Sequence, residues 1–198
     1  MNCKYIREQT KLVSNSYTRG FTLIELLIVV LIVGVLATVA VPQYQKAVWK
    51  SRFAQAKTMT EALADALEVY YLGNGAYTVD LNALDVQFNA TPHTECNTEE
   101  KRKNADQCTW STAWGHCDLN ASGQVGCAVT RDGKRYLQYK KFLSHHNTTN
   151  RTGKTYCIAE NVYKGSTPTA EDLNYQICAA DTGSPQEAAG PGTPSFQY

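Results

Sequence analysis

The sequence predicts an α+β fold: one long amino-terminal helix laid on a small antiparallel sheet, with a cysteine-bearing polar domain after it. Three observations predict it. Phe21 to Val41 holds 17 apolar residues among 21. From Gln43 to Leu72 there is no Pro or Gly, and Ala, Lys, Glu and Leu, all good helix formers, abound. Beyond Gly73, short strand patterns and six of the seven cysteines follow.

The 198 residues divide into a leader at 1–20, an apolar segment at 21–41, an amphipathic helix at 42–72 and a globular head at 73–198. The leader carries Lys4, Arg7, Lys11 and Arg19 against Glu8, an excess of three positive charges. The whole chain has a net charge of only +1, which gives no general case for nucleic-acid binding. A mean hydropathy of −0.37 excludes a polytopic membrane protein, and 10% aromatic residues argue against wholesale disorder.

Twenty-one helical residues span roughly 30 Å, the thickness of a bilayer's hydrocarbon core. A basic stretch before an apolar one also fits a signal peptide, with Ala37, Thr38 and Ala40 as a weak cleavage site. The apolar run exceeds the roughly 7–15 residues of a signal peptide's hydrophobic region. A buried core helix is a less expected reading still, because the run is apolar on all faces. Glu25 is its only charge. One turn from the start, its carboxylate either reaches the membrane interface or waits for a positive partner.

After Pro42, Met59, Leu63, Ala66, Leu67 and Tyr70 form an apolar stripe at helical spacing. Gly73-Asn74-Gly75 supplies the stop. A helix from Phe21 to Leu72 would be roughly 80 Å long. Only its second half can pack on the head. Pro42 removes a backbone bond and is expected to kink or locally melt it.

In the head, strands are expected at Gln124–Thr130, Lys134–Phe142 and Lys154–Ala159, with a hairpin turn at Arg131-Asp132-Gly133. Tyr136 and Tyr139 do not share one strictly alternating face. Thr169–Cys178 reads as a short helix capped by Thr169. Gly183–Tyr198 is rich in Gly, Pro and Ser, which predicts a flexible tail without regular structure. The run Glu99-Glu100-Lys101-Arg102-Lys103 is expected to be a solvated loop. No glycine-rich phosphate loop or Gly-x-Ser-x-Gly elbow occurs, so the chain is not expected to be an enzyme. No cofactor is implied. His93, His116, His145 and His146 lie among the cysteines without Cys-x-x-Cys spacing, so no metal site is expected. Asn89, Asn120, Asn147 and Asn150 open Asn-x-Ser/Thr sequons, weak signals of glycosylation.

The run Gly20-Phe21-Thr22-Leu23-Ile24-Glu25-Leu26-Leu27, with Gly34 and Pro42 further on, resembles the processing site of type IV prepilins. The resemblance covers about residues 20–50. It implies the pilin fold, with its disulfide-closed carboxyl-terminal region. It also implies cleavage between Gly20 and Phe21 by a prepilin peptidase, and methylation of the new Phe21 amine. Phe21, Glu25, Gly34 and Pro42 would then serve assembly, with Glu25 pairing to the Phe21 amine of a neighbouring subunit. The 20-residue leader is longer than those that typically precede a Phe start in this family.

Cleavage would remove Cys3 and leave Cys96, Cys108, Cys117, Cys127, Cys157 and Cys178 in an oxidising compartment. Six cysteines allow 15 pairings. The resemblance prefers Cys157–Cys178, closing the carboxyl-terminal loop as in many pilins. Cys96–Cys108 and Cys117–Cys127 follow by proximity.

The implied function is a structural subunit of a bacterial type IV pilus, a self-assembling helical homopolymer. Its partners would be copies of itself, the peptidase, the pilus assembly machinery and the inner membrane before assembly. The head would be periplasmic and then extracellular, in a fimbrium serving adhesion or motility. The alternatives are a pseudopilin of type II secretion and a minor or DNA-uptake pilin. The six cysteines and the absence of a dense carboxylate cluster around Asp172 and Asp181 weigh against the pseudopilin. Losing the leader's three positive charges takes the net charge from +1 to −2, which weighs against DNA uptake. The local basic stretches at Lys134–Lys141 and Arg151–Lys154 remain.

Overall fold

A computed structural model describes residues 20–147, 150–160, 166–184, 187–189 and 193–198. The leader, with Cys3 and its basic residues, lies outside them, as do Thr148 and Thr149 of one sequon. The chain forms two units, residues 1–43 and 44–198.

Helix α1 (Leu23–Asn74) begins in the first unit and ends in the second. Thr22 caps it. Its hydroxyl accepts from the Glu25 N–H at 3.2 Å, and the Glu25 carboxylate accepts from the Thr22 N–H at 2.8 Å, which is a capping box. Asn74 ends it, followed by Gly75 in the left-handed region at φ 72°. The helix runs through Pro42 without interruption, so the local melting expected there is absent. Proline deletes a single donor, and the turns around it remain bonded.

In the second unit, α1 buries Phe53, Ala56, Thr60, Leu63, Ala64 and Leu67. Of the expected stripe, Leu63 and Leu67 are fully buried, while Met59, Ala66 and Tyr70 lie at its border. The stripe is rotated toward small residues. Ala56, Thr60 and Ala64 let the helix approach the sheet closely.

The sheet has eight antiparallel strands. They are β1 (Thr91–Pro92), β2 (Gln107–Ser111), β3 (Gly115–Asn120), β4 (Gln124–Arg131), β5 (Lys134–Phe142), β6 (Thr155–Ala159), β7 (Glu187–Ala189) and β8 (Thr193–Gln197). Their spatial order is β1-β2-β3-β4-β5-β6-β8-β7. β4 and β5 turn at Asp132 and Gly133, with φ 51° and 74°, the two positive values a type I′ turn requires. Pairing shifts between Val129 and Thr130, leaving Tyr136 as the extra residue of a bulge. The bulge explains why Tyr136 and Tyr139 break strict alternation yet are both buried.

Several expectations change. The tail after Gly183 contains β7 and β8. β8 pairs with β6 and buries Phe196 to 1% exposure, which outweighs the loop-like composition. The short helix is α3 (Leu173–Thr182), four residues later than expected, with Asp172 at its N-cap position but making no side-chain cap bond. The Asp172 carboxylate accepts from the Thr169 N–H at 2.9 Å and its hydroxyl at 3.2 Å, making a turn ahead of the helix. The charged run is α2 (Glu99–Lys103), with acids in its first turn and bases in its last, the order the helix dipole favours. Within it Arg102 is half-buried, its Nε 2.8 Å from Asp80 Oδ2. β2 lies in the stretch read as a connection, and its buried Cys108 and Trp110 alternate with half-buried Thr109 and Ser111.

Three disulfides close the head: Cys96–Cys108, Cys117–Cys127 and Cys157–Cys178. The second joins directly paired residues of β3 and β4. The third ties β6 to α3.

Polar side chains stitch α1 to the sheet. The fully buried Thr60 hydroxyl accepts from the Cys127 N–H at 3.0 Å and lies 3.4 Å from the Tyr139 carbonyl, so a helix side chain enters the β4–β5 ladder. Thr60→Val keeps the shape and orphans that buried N–H. The expected loss is about 1–3 kcal/mol of unfolding free energy, read by denaturant titration against wild type. No loss would mean that the ladder heals without the hydroxyl.

Candidate assembly site on the amino-terminal helix

Gly20 and Phe21 precede α1 in irregular, exposed backbone, and Phe21 is 78% exposed. A Cβ at Gly20 would meet nothing within 4 Å. Glu25 sits in the first turn. One of its oxygens, Oε2, takes both the Thr22 N–H and the Thr22 hydroxyl, each at 2.8 Å. Among the described residues no cation pairs with it.

From Phe21 to Val41 fifteen large apolar side chains are exposed. At roughly 1.5 kcal/mol or more per side chain, burying them would release on the order of 20 kcal/mol. This surface surrounds the helix. By length and composition the helix can cross a membrane. Gly34 opens a shallow notch lined by Val30, Leu31, Val35 and Thr38, where a Cβ would meet nothing within 4 Å. A neighbouring side chain could sit there. Pro42 lies in the same helix, at the edge of the unit. Gly20, Phe21 and Glu25 thus fall within two turns, while Gly34 and Pro42 lie further along the same helix.

The head offers little chemistry of its own. Among the described residues no group of three or more His, Cys, Asp and Glu side chains gathers to hold a metal. His93 Nε2 lies 2.7 Å from Ser111 Oγ. His145 stacks on Tyr71 and lies 3.9 Å from Glu68. His146 meets the Phe142 ring edge-on. His116 is pushed below the ordinary imidazole range by burial, which outweighs the nearby Asp118. On α1, Glu61 accepts from Tyr139 Oη at 2.6 Å and from Lys141. Burial raises its pKa, but the bonds from Lys141 and Tyr139 and the charges of Lys141 and Lys57 outweigh it and hold the carboxyl below the usual range. Sequence reasoning missed these helix-to-sheet contacts, because nothing in a pattern pairs Glu61 with Tyr139, 78 residues away.

Residues 15–41 match the family model described as the prokaryotic N-terminal methylation motif. The chain is 40% identical over 72 residues to "Type IV major pilin protein PilE" of Neisseria gonorrhoeae, covering 36% of this chain and 43% of that protein. It is 40% identical over 68 residues to "Fimbrial protein EcpC" of Eikenella corrodens, covering 34% and 44%. It is 42% identical over 70 residues to "Type IV major pilin protein PilA" of Myxococcus xanthus, covering 35% and 32%. The chain therefore spans less than half the length of these relatives. No solved structure matches it. The motif and the relatives point the same way: over about a third of its length this chain is similar to type IV major pilins, and residues 15–41 match the N-terminal methylation motif.

Proposed function

We propose that the chain is a structural subunit of a type IV pilus, and not an enzyme. A prepilin peptidase cuts between Gly20 and Phe21 and methylates the new Phe21 amine. The processed chain waits in the inner membrane on its apolar helix, with the head outside the cytoplasm. It then joins a filament in which the same apolar surface packs against copies of itself. The observation that carries this reading is the helix segment from Leu23 to Val41, apolar and exposed, whose single carboxylate is Glu25 just after the Gly20-Phe21 site. One surface serves lipid and filament, because both solvate apolar side chains.

Mass spectrometry of filaments sheared from the native cells tests it. The expected species is an abundant chain starting at N-methylated Phe21, lighter by the six hydrogens that three disulfides remove. Filaments in which the chain is scarce would make it a minor pilin or a pseudopilin. A chain that keeps its leader, or starts beyond the apolar segment, would sink the proposal.

A further inference from the structure

The face of the sheet turned away from α1 carries a charged cavity. Tyr139 and Lys141 reach α1 from β5, so alternation sends Gln138 and Lys140 to the opposite face. There Lys140 pairs across the sheet with Gly126 on one side and Tyr156 on the other. The cavity beside them measures about 300 Å³. That is the lower end of the roughly 300–1,000 Å³ of small-molecule sites, room for one small ligand and not a polymer.

Its charges are unequally committed. Arg135 is spoken for, with Nε 3.2 Å from Glu160 Oε2 and Nη1 3.7 Å from Asp118 Oδ2. Asp118 also accepts from Thr109 Oγ1 at 2.7 Å and from Gln138 Nε2 at 3.5 Å. Lys140 has no hydrogen-bond acceptor and no ion-pairing carboxylate among the described residues. Burial lowers its pKa, and Arg135 and Arg151 push the same way against Asp118 and Glu160. Among the described residues Arg151 meets the rings of Phe142 and Tyr156, 5.5 Å and 5.9 Å from their centres. Gly126 lets β4 approach β5 closely beside Lys140: a Cβ there would lie 2.8 Å from the Tyr139 carbonyl oxygen and 3.1 Å from Lys140 Cα.

Arg135 is committed to Glu160 and Asp118, so Lys140 and Arg151 are the cations left to face a ligand, which suits a carboxylate. A multiply charged ion such as phosphate would meet Glu160 as well as the cations. Ile158 and Tyr156 offer an apolar wall, and Glu160 and Gln138 offer acceptors. A sugar ring presents C–H faces to such a wall and hydroxyl donors to such acceptors. We propose that this cavity binds a carboxylated monosaccharide of the uronic-acid class. Its carboxylate sits between Lys140 and Arg151, its ring lies against Tyr156, and a hydroxyl donates to Glu160. The site does not depend on the filament reading.

The test titrates the full chain, purified in detergent, with sodium glucuronate, glucose and inorganic phosphate, followed by calorimetry and by protein NMR shifts. Glucuronate is expected to bind at least about tenfold more tightly than either control. Lys140→Gln should weaken it at least about tenfold, and Lys140→Arg should restore most of the loss. Lys134→Gln, at the exposed start of β5 outside the cavity, should leave binding unchanged. If Lys140→Gln does not fold, Arg151→Gln, just before β6, must show the same loss. No glucuronate binding, equal binding of glucose or phosphate, or full binding by folded Lys140→Gln would overturn the proposal.

Discussion

Cells whose only change is Glu25→Ala are expected to lose their filaments while keeping normal amounts of processed chain in the membrane. The argument runs from charge in an apolar setting. Glu25 lies in the first turn of a helix segment whose neighbours are almost all apolar and exposed. Its Oε2 takes two bonds from Thr22, and no cation of the described chain meets it. Cleavage after Gly20 would create a second poorly solvated charge, the Phe21 amine. When the apolar helices of two subunits pack, an amine and a carboxylate that meet neutralise each other. A subunit with only one of them buries an unpaired charge, the costly case. Thr22→Ala separates this role from capping, because it breaks the capping box and keeps the carboxylate. Filaments counted by electron microscopy should survive Thr22→Ala and vanish in Glu25→Ala. Normal filaments in Glu25→Ala, or equal loss in Thr22→Ala, would refute the pairing.

Removing Cys157–Cys178 by a double alanine substitution is expected to destabilise the head more than removing either other disulfide. Chain entropy alone hardly ranks them. The bridged residues are 21, 12 and 10 apart, and loop closure gives about 3 kcal/mol for each, with a spread of only about half that of a typical hydrogen bond's worth. The difference lies in what each bridge holds. Cys96–Cys108 and Cys117–Cys127 join segments already adjacent in the chain, the latter across a formed ladder. Cys157–Cys178 pins α3 over β6, where the buried Asn174 amide donates to the carbonyls of Tyr136 at 3.1 Å and Glu160 at 2.9 Å. Its neighbour Lys57–Asp181, 2.8 Å long and about a third exposed, adds little, as surface pairs do. Loosening α3 would endanger those bonds and the burial of Ile177 and Phe196 together. Urea titration should show a loss of about 2–5 kcal/mol, with hydrogen exchange rising first in α3 and β8. A loss no larger than that from the Cys117/Cys127 double variant would refute the ranking.

Much of this molecule is legible in one dimension because its signals are local. The apolar run at Phe21–Val41, the helix formers up to Leu72 and the Asp132-Gly133 turn each act through neighbours a few residues apart. β5 accordingly spans Lys134–Phe142, the stretch that the strand signals after the Asp132-Gly133 turn mark. Other features failed for equally physical reasons. The segment after Gly183 looks like a loop, yet β8 forms because β6 offers a free edge and Phe196 a buried place. α3 starts at Leu173, not at Thr169, and Thr169 and Asp172 are joined in a turn ahead of it.

By itself the sequence determined the α+β fold class, the long apolar-then-amphipathic helix and the methylation motif that includes Gly20, Phe21 and Glu25. Those follow from composition, period and spacing. The tertiary structure alone decided that the sheet has eight strands and that Thr60 enters the β4–β5 ladder. It also decided that Arg135, Lys140 and Arg151 gather around one cavity. Such features join residues that lie apart in the chain, Thr60 and Cys127 by 67 positions, and strand register brings them within reach.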